Sequence, residues 1–68
     1  MNNKHNARIL PRDRVMHAWE NSMGMVRDYR YYADEIEDDG ISGMFDRFAA
    51  DEAAHAAELN KLLQDDSL

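Results

Sequence analysis

Apolar and polar positions follow a helical period along most of the chain, from Arg12 to Gln64. Residues spaced alternately by four and three positions lie on one side of an α-helix. In the first half this stripe consists of Val15, Trp19, Ser22, Val26, Tyr29, Ala33 and Ile36. In the second half it consists of Ile41, Phe45, Phe48, Glu52, His55, Leu59 and Leu62, and it is widened by Ala49, Ala56 and Leu63. The pattern therefore predicts two amphipathic helices and no strand.

The segment 40–43, Gly-Ile-Ser-Gly, separates the two periodic stretches. Gly40 suits the residue that follows a helix C-terminus, and Ser42 suits an N-cap. Pro11 suits the first turn of the first helix. We therefore predict a helix over 12–39, a loop over 40–43 and a helix over 42–64. A flexible tail over 1–11 and a short tail over 65–68 complete the chain.

The predicted fold class is all-α, an antiparallel two-helix hairpin. Two helices cover only one side of each other, and the apolar side chains of Trp19, Phe45, Phe48 and the methionines need more cover than that. A chain of 68 residues also buries too little surface to be very stable alone. We therefore expect a homo-oligomer, most simply a dimer of hairpins that forms a four-helix bundle.

Composition excludes several classes of function. The chain has no cysteine, so thiol catalysis, disulfides and thiolate metal cages are excluded. Its net charge of −6 argues against nucleic acid and anionic membranes as partners. No apolar run approaches the roughly 20 residues of a membrane span. Because targeting signals are absent, a cytoplasmic location is expected, either free or inside a protein compartment.

Two polar residues interrupt the second stripe, and they carry the candidate chemistry. Glu52 and His55 are three residues apart and therefore neighbours on a helix. Antiparallel pairing about residues 38 and 39 places Ser22 opposite His55 and Val26 near Glu52, so the three polar residues share one level. A buried carboxylate is costly unless it is paired, protonated or coordinated, and a metal cation would satisfy it. The alternatives are a carboxylate paired with a buried arginine, and an exposed Glu–His pair.

The chain resembles the ferritin-like superfamily, in its rubrerythrin and short encapsulated-ferritin branch. The resemblance covers about residues 15–64 and depends on two segments. They are Tyr29-Arg30-Tyr31-Tyr32-Ala33 and Phe45-x-x-Phe48-Ala49-x-Asp51-Glu52-x-x-His55-Ala56. The resemblance implies hairpins that pair to complete a di-iron site at the dimer interface, with oxidation of ferrous iron in some members.

One ligand position departs from the family pattern. The pattern places a glutamate seven residues before the tyrosine matched by Tyr29, where this chain has Ser22. A dimer then offers four protein ligands instead of six, so zinc is as plausible as iron, and Ser22 or Tyr29 would orient the imidazole. Glu20, paired with His17 on the outer side of the helix, is either solvated or a displaced ligand.

We therefore expect a small metal-binding protein with Glu52 and His55 as ligands. Its role would be the handling of iron or another divalent metal. Ferroxidase-like oxidation of iron is one option for its activity, and a di-iron centre is one option for the site. The alternative is a metal-free helical scaffold or interaction module that has lost this chemistry. Whether the protein is an enzyme is left open by the sequence.

Overall fold

The computed structural model describes residues 10–65, and they form an all-helical hairpin. Helix α1 spans Pro11–Glu35, helix α2 spans Asp39–Leu63, and residues 36–38 connect them. The two helices pack against each other, as the sequence predicts. Within the described range, neither helix is long and apolar enough to cross a membrane. Most of the two predicted tails, residues 1–9 and 66–68, lies outside the described residues.

The connection between the helices lies earlier than predicted. The loop is residues 36–38, not 40–43, and the N-cap of α2 is Asp38, not Ser42. The Asp38 carboxylate accepts a hydrogen bond of 3.0 Å from the backbone N–H of Ile41. Aspartate caps a helix as well as serine does. Gly40 therefore lies in the first turn of α2, and no described glycine has a positive φ.

Ser42 closes the end of α1 instead of capping α2. Its hydroxyl donates a hydrogen bond of 2.8 Å to the backbone carbonyl of Ala33. The last carbonyls of a helix have no partner within the helix, so this bond satisfies one of them. The backbone N–H of Ile36 reaches back to the Tyr32 carbonyl at 3.0 Å. These contacts end α1 at Glu35 and fix where α2 begins.

Replacing Asp38 with alanine should destabilise the hairpin by about 1 kcal/mol, because the first-turn N–H of Ile41 loses its acceptor. Asp39→Ala is the matched control, since it removes the same charge from the next residue without removing the cap. Chemical denaturation of both variants checks this. Equal destabilisation by the two changes would show that charge, not capping, is responsible.

Small side chains form the seam between the helices. The buried residues of the described range are Ser22, Ala33, Ala49, Ala56 and Leu63. No large side chain is completely buried among them. Alanines at the contact let two helices approach closely, but they leave little apolar volume in the core. The single hairpin is therefore a thin structure with an incomplete core.

The stripe predicted for α1 is confirmed, since all seven of its members are buried or half-buried. The stripe predicted for α2 is confirmed in part. Phe45, Glu52 and Leu59 are half-buried, and Ala49, Ala56 and Leu63, predicted to widen the stripe, are its buried members. Phe48 and Leu62 are 37% and 44% exposed, so the centre of the seam lies toward the three buried residues, within the turn of about 100° of one residue.

The hairpin has two broad faces on opposite sides of its seam. The Trp19 face is an apolar groove of about 350 Å³ lined by Trp19, Met23, Val26, Ala53, Ala56, Ala57 and Asn60. Helical spacing places a second set of large side chains on the other side, around His55. This His55 face comprises Met25, Tyr32, Ile41, Met44, Phe48, His55 and Leu62.

The end of the hairpin opposite the loop is held by a cationic side chain. The Arg12 guanidinium donates a hydrogen bond of 2.8 Å to the Leu63 carbonyl at the end of α2. A positive charge at a helix C-terminus also interacts favourably with the helix dipole. This contact joins residues 51 positions apart and fixes the register of the open end.

Candidate metal centre

Glu52 lies in the seam and is bound to the opposite helix. Its Oε2 accepts a hydrogen bond of 2.7 Å from the Ser22 hydroxyl. Ser22 is 7% exposed, and the Glu52 side chain is 21% exposed. A short bond to a charged acceptor is stronger than a neutral one, so Ser22 holds the carboxylate in one orientation. The prediction that these two residues share a level of the core is confirmed.

His55 lies beside this carboxylate but at the edge of the seam. Its Nδ1 is 3.5 Å from Glu52 Oε1, one turn along the same helix. Its side chain is 69% exposed, so in a single hairpin the imidazole is not buried as the stripe predicted. Three residues turn a helix by 300°, which places His55 about 60° away from Glu52 and onto the His55 face.

The spacing of the two ligand atoms fits a metal ion. Zinc binds histidine nitrogen and carboxylate oxygen at about 2.0–2.1 Å with tetrahedral angles, which separates two ligand atoms by about 3.4 Å. The Glu52 Oε1 and His55 Nδ1 atoms are 3.5 Å apart. The distance between the two atoms therefore matches the separation of two ligand atoms on one cation. The donor set, one carboxylate and one imidazole per chain, suits zinc or iron.

The pair lies near the middle of the hairpin. Both helices have 25 residues, with Ser22 one position before the centre of α1 and Glu52 one position after the centre of α2. If a second copy packed on the His55 face about a two-fold axis at this level, Glu52 and His55 would lie close to their own copies. Within residues 10–65 of one chain, no group of three histidine, aspartate or glutamate side chains is arranged to hold a metal.

Tyr29 has a packing role in the hairpin. Its ring lies 5.9 Å from the ring of Phe45 and 5.7 Å from that of Phe48, measured between centroids. Tyr32 joins the same cluster, 5.5 Å from Phe45. Tyr29 is two turns, about 10 Å, from the level of Ser22. These contacts stabilise the loop half of the hairpin, and of the two residues predicted to orient the site, Ser22 is the one bound to Glu52.

The outer pair, His17 and Glu20, lies on the exposed side of α1. Both residues border an open depression together with Asp13, Arg14 and Met16. Glu20 faces away from the seam that holds Ser22 and Glu52. It therefore does not replace the missing ligand within one hairpin.

The partner of Ser22 differs from the one predicted. Pairing the helices about residues 38 and 39 placed Ser22 opposite His55, whereas Ser22 contacts Glu52. The loop at 36–38 accounts for this shift of about one turn. The signal available in the sequence was Asp38, whose side chain is as good an N-cap as Ser42.

Comparisons of the chain with protein-family models, with curated proteins and with solved structures find no significant match. The resemblance to ferritin-like proteins therefore depends only on the residues quoted above.

Proposed function

We propose that this chain is a small metal-binding protein that handles iron or another divalent metal, with Glu52 and His55 as its ligands. Two copies complete the site, each giving one carboxylate and one imidazole. The observation that carries the proposal is the 3.5 Å separation of Glu52 Oε1 and His55 Nδ1, which matches the distance between two ligand atoms on one metal ion. A ferritin-like origin and a cytoplasmic location, free or within a protein shell, belong to the same proposal.

The environment of the carboxylate supports metal binding. Ser22 engages one oxygen of Glu52 and leaves the other directed toward His55. Outer hydrogen bonds of this kind orient metal ligands and commonly affect affinity by 10–100-fold. When bound, the cation would supply Lewis acidity and, if it is iron, redox chemistry. This chain's own residues would hold it and fix the direction of the carboxylate.

The incomplete core of the hairpin supports a second copy. Ten large apolar side chains of the described range are at least 37% exposed. Exposed apolar patches of this extent are typical of interaction surfaces. Four ligands from two chains are two fewer than the six of the di-iron site that the resemblance implies. The proposal is therefore metal binding, without ferroxidase catalysis as a requirement.

A metal-free helical scaffold is the second candidate function. The observation that favours it is that Glu52 already has a hydrogen bond from Ser22 and a neighbouring imidazole. A half-exposed carboxylate with these partners needs no cation to be stable. In this case the two apolar faces would be the functional part of the molecule.

Metal analysis of the purified chain, prepared without a histidine tag, separates the two candidates. We expect one or two metal ions per dimer in the parent protein after exposure to Zn²⁺ or Fe²⁺ and gel filtration. Glu52→Gln and His55→Ala should each lower this occupancy at least tenfold. His17→Ala is the matched control, because His17 is also an exposed histidine with a glutamate three residues away. It should retain full occupancy.

Only trace amounts of metal in the parent protein and in all three variants would contradict the metal proposal and favour the scaffold. Stoichiometric metal that is lost only in His17→Ala would place the site on the outer side of α1. Circular dichroism of each variant verifies that the hairpin is still folded, so that metal loss is not a consequence of unfolding.

A further inference from the structure

We infer that a second copy of this chain packs on the His55 face in an inverted orientation, with each acidic loop against the open end of the other copy. The inference depends on the proposed function for the existence of a dimer, and it adds the surface and the direction of packing. It follows from where the exposed apolar side chains lie and from how charge is distributed along the hairpin.

The His55 face has the larger share of exposed apolar side chains. Six of the ten large apolar residues that are at least 37% exposed belong to it: Met25, Tyr32, Ile41, Met44, Phe48 and Leu62. The Trp19 face holds one, Met23. The His55 face is also continuous with the Glu52–His55 pair. A copy packed there would cover most of the exposed apolar surface and complete the proposed site.

The two ends of the hairpin carry different charge. At the loop end, five of the six residues over 34–39 are acidic and none is basic. At the open end, over residues 10–14 and 60–65, the basic residues Arg12, Arg14 and Lys61 outnumber the acidic residues Asp13 and Asp65. If two loops lay at the same end, ten carboxylates would come together in a small volume. Inversion places each acidic loop beside the basic side chains of the other copy, which lowers the electrostatic energy.

Arg14 is placed to make this contact. It is eleven residues before Met25, so helical spacing puts both on the same side of α1. Inversion about the middle of α1 puts Arg14 opposite Tyr32 of the second copy, within one turn of that copy's Asp28 and Glu35. Arg14 would then bridge from the apolar face to the acidic end of the other copy.

Inversion also brings α2 against its own copy, and Asp51, at its centre, would approach the Asp51 of the second copy. Like charges repel at this distance. A cation held by Glu52 and His55, one and four residues away, offsets that repulsion. Divalent metal should therefore strengthen the inverted dimer, and Asp51→Asn should strengthen the metal-free dimer.

A spin-label distance measurement tests the orientation directly. The chain has no cysteine, so Glu37→Cys creates a single labelling position in the loop. In an inverted dimer the two labels are separated by about one helix length, roughly 38 Å. With both loops at one end they would be about 20 Å apart or less, since packed helices lie 8–10 Å from each other. The measurement is made once with Zn²⁺ and once without it, because Zn²⁺ is diamagnetic and does not perturb the spin labels.

Ala54→Cys is the control for dimer formation. Ala54 is exposed and near the middle of α2, so its two labels lie within about one helix length of each other in both orientations. Dipolar modulation at Ala54 with a long distance at Glu37 is the expected result. Modulation at both positions with a short distance at Glu37 would overturn the orientation and leave the dimer in place. No modulation at either position would overturn the dimer itself.

Met25 and Met23 provide a matched pair for the choice of face. They are the same residue type, 39% and 44% exposed, and two positions apart, so they lie on opposite faces of the hairpin. Met25→Asp should raise the dimer dissociation constant at least 100-fold by analytical ultracentrifugation, and Met23→Asp less than threefold. Leu62→Asp tests the same face from α2. The reverse pattern, or no effect of Met25→Asp and Leu62→Asp, would overturn the assignment.

Discussion

Replacing Ala49 with leucine should lower the melting temperature of the protein by about 4–24 °C at fixed concentration. Ala49 is 1% exposed and lies in the seam, where α2 packs against α1. Three added carbon atoms would force the helices apart or force neighbouring side chains out of their rotamers, which costs about 1–3 kcal/mol. In a domain of this size each kcal/mol corresponds to about 4–8 °C.

Ala50→Leu is the matched control, because Ala50 is the next residue on the same helix and is exposed. It adds the same side chain without entering the seam. We expect a change of melting temperature below about 3 °C, since surface substitutions usually fall within 0.5 kcal/mol. Thermal unfolding followed by circular dichroism measures both. Equal effects at the two positions would contradict the small-residue seam.

Replacing Ser22 with glutamate should have opposite effects on the metal-free and the metal-bound protein. Ser22 Oγ is 2.7 Å from Glu52 Oε2, so a carboxylate at position 22 would face another carboxylate in a mostly buried position. Without metal the two charges repel, and we expect a fall of at least 10 °C in melting temperature. With Zn²⁺ or Fe²⁺ the extra ligand should restore stability and raise metal occupancy toward two ions per dimer.

Ser22→Gln is the control for volume, because it has the shape of the glutamate without its charge. It should lose stability without regaining it on addition of metal. Metal titration followed by thermal unfolding distinguishes the two variants. For iron, the rate of ferrous oxidation by dioxygen should also rise in Ser22→Glu. If metal fails to stabilise Ser22→Glu more than Ser22→Gln, Ser22 does not lie at the ligand level.

The helical period was sufficient to predict the hairpin and the seam of α1. The spacing from Val15 to Ile36 marks the buried side of α1 because one long helix with one packing partner has a single apolar stripe. The same signal predicted that Ser22 and Glu52 share a level of the core, which their hydrogen bond confirms. Polar residues in an otherwise apolar stripe are a strong signal because burial without a partner is costly.

The period could not locate the loop or the true seam of α2. Gly40, Ser42 and Asp38 all suit helix boundaries, and Ser42 makes its hydrogen bond to the Ala33 carbonyl across the turn. Only the three-dimensional contact decides between these residues. In α2 the large residues Phe48 and Leu62 mark the exposed His55 face, whereas alanines mark the seam. The prediction centred the stripe on the large residues and gave Ala49, Ala56 and Leu63 only as its widening, whereas close helix contact selects small side chains.

This difference has a consequence for the proposed dimer. The stripe predicted for α2 lies between the seam of the hairpin and its exposed His55 face. In a four-helix bundle formed on the His55 face, this side of α2 would face the centre of the bundle. Glu52 belongs to the seam and His55 to the exposed face. A helix in a bundle contacts two neighbours, so its apolar stripe is wider than one contact requires. A stripe that covers both the seam and the His55 face is what a helix with a second packing partner would have.

The central claim is that Glu52 and His55 from two copies hold one metal centre. A crystal structure of the protein grown with metal, with anomalous data collected at the iron and zinc edges, tests it most directly. We predict anomalous density between two copies, within about 2.0–2.2 Å of a Glu52 carboxylate oxygen and a His55 nitrogen of each. Well-ordered Glu52 and His55 side chains without anomalous density between them, or His55 directed into solvent on an isolated hairpin, would contradict the claim.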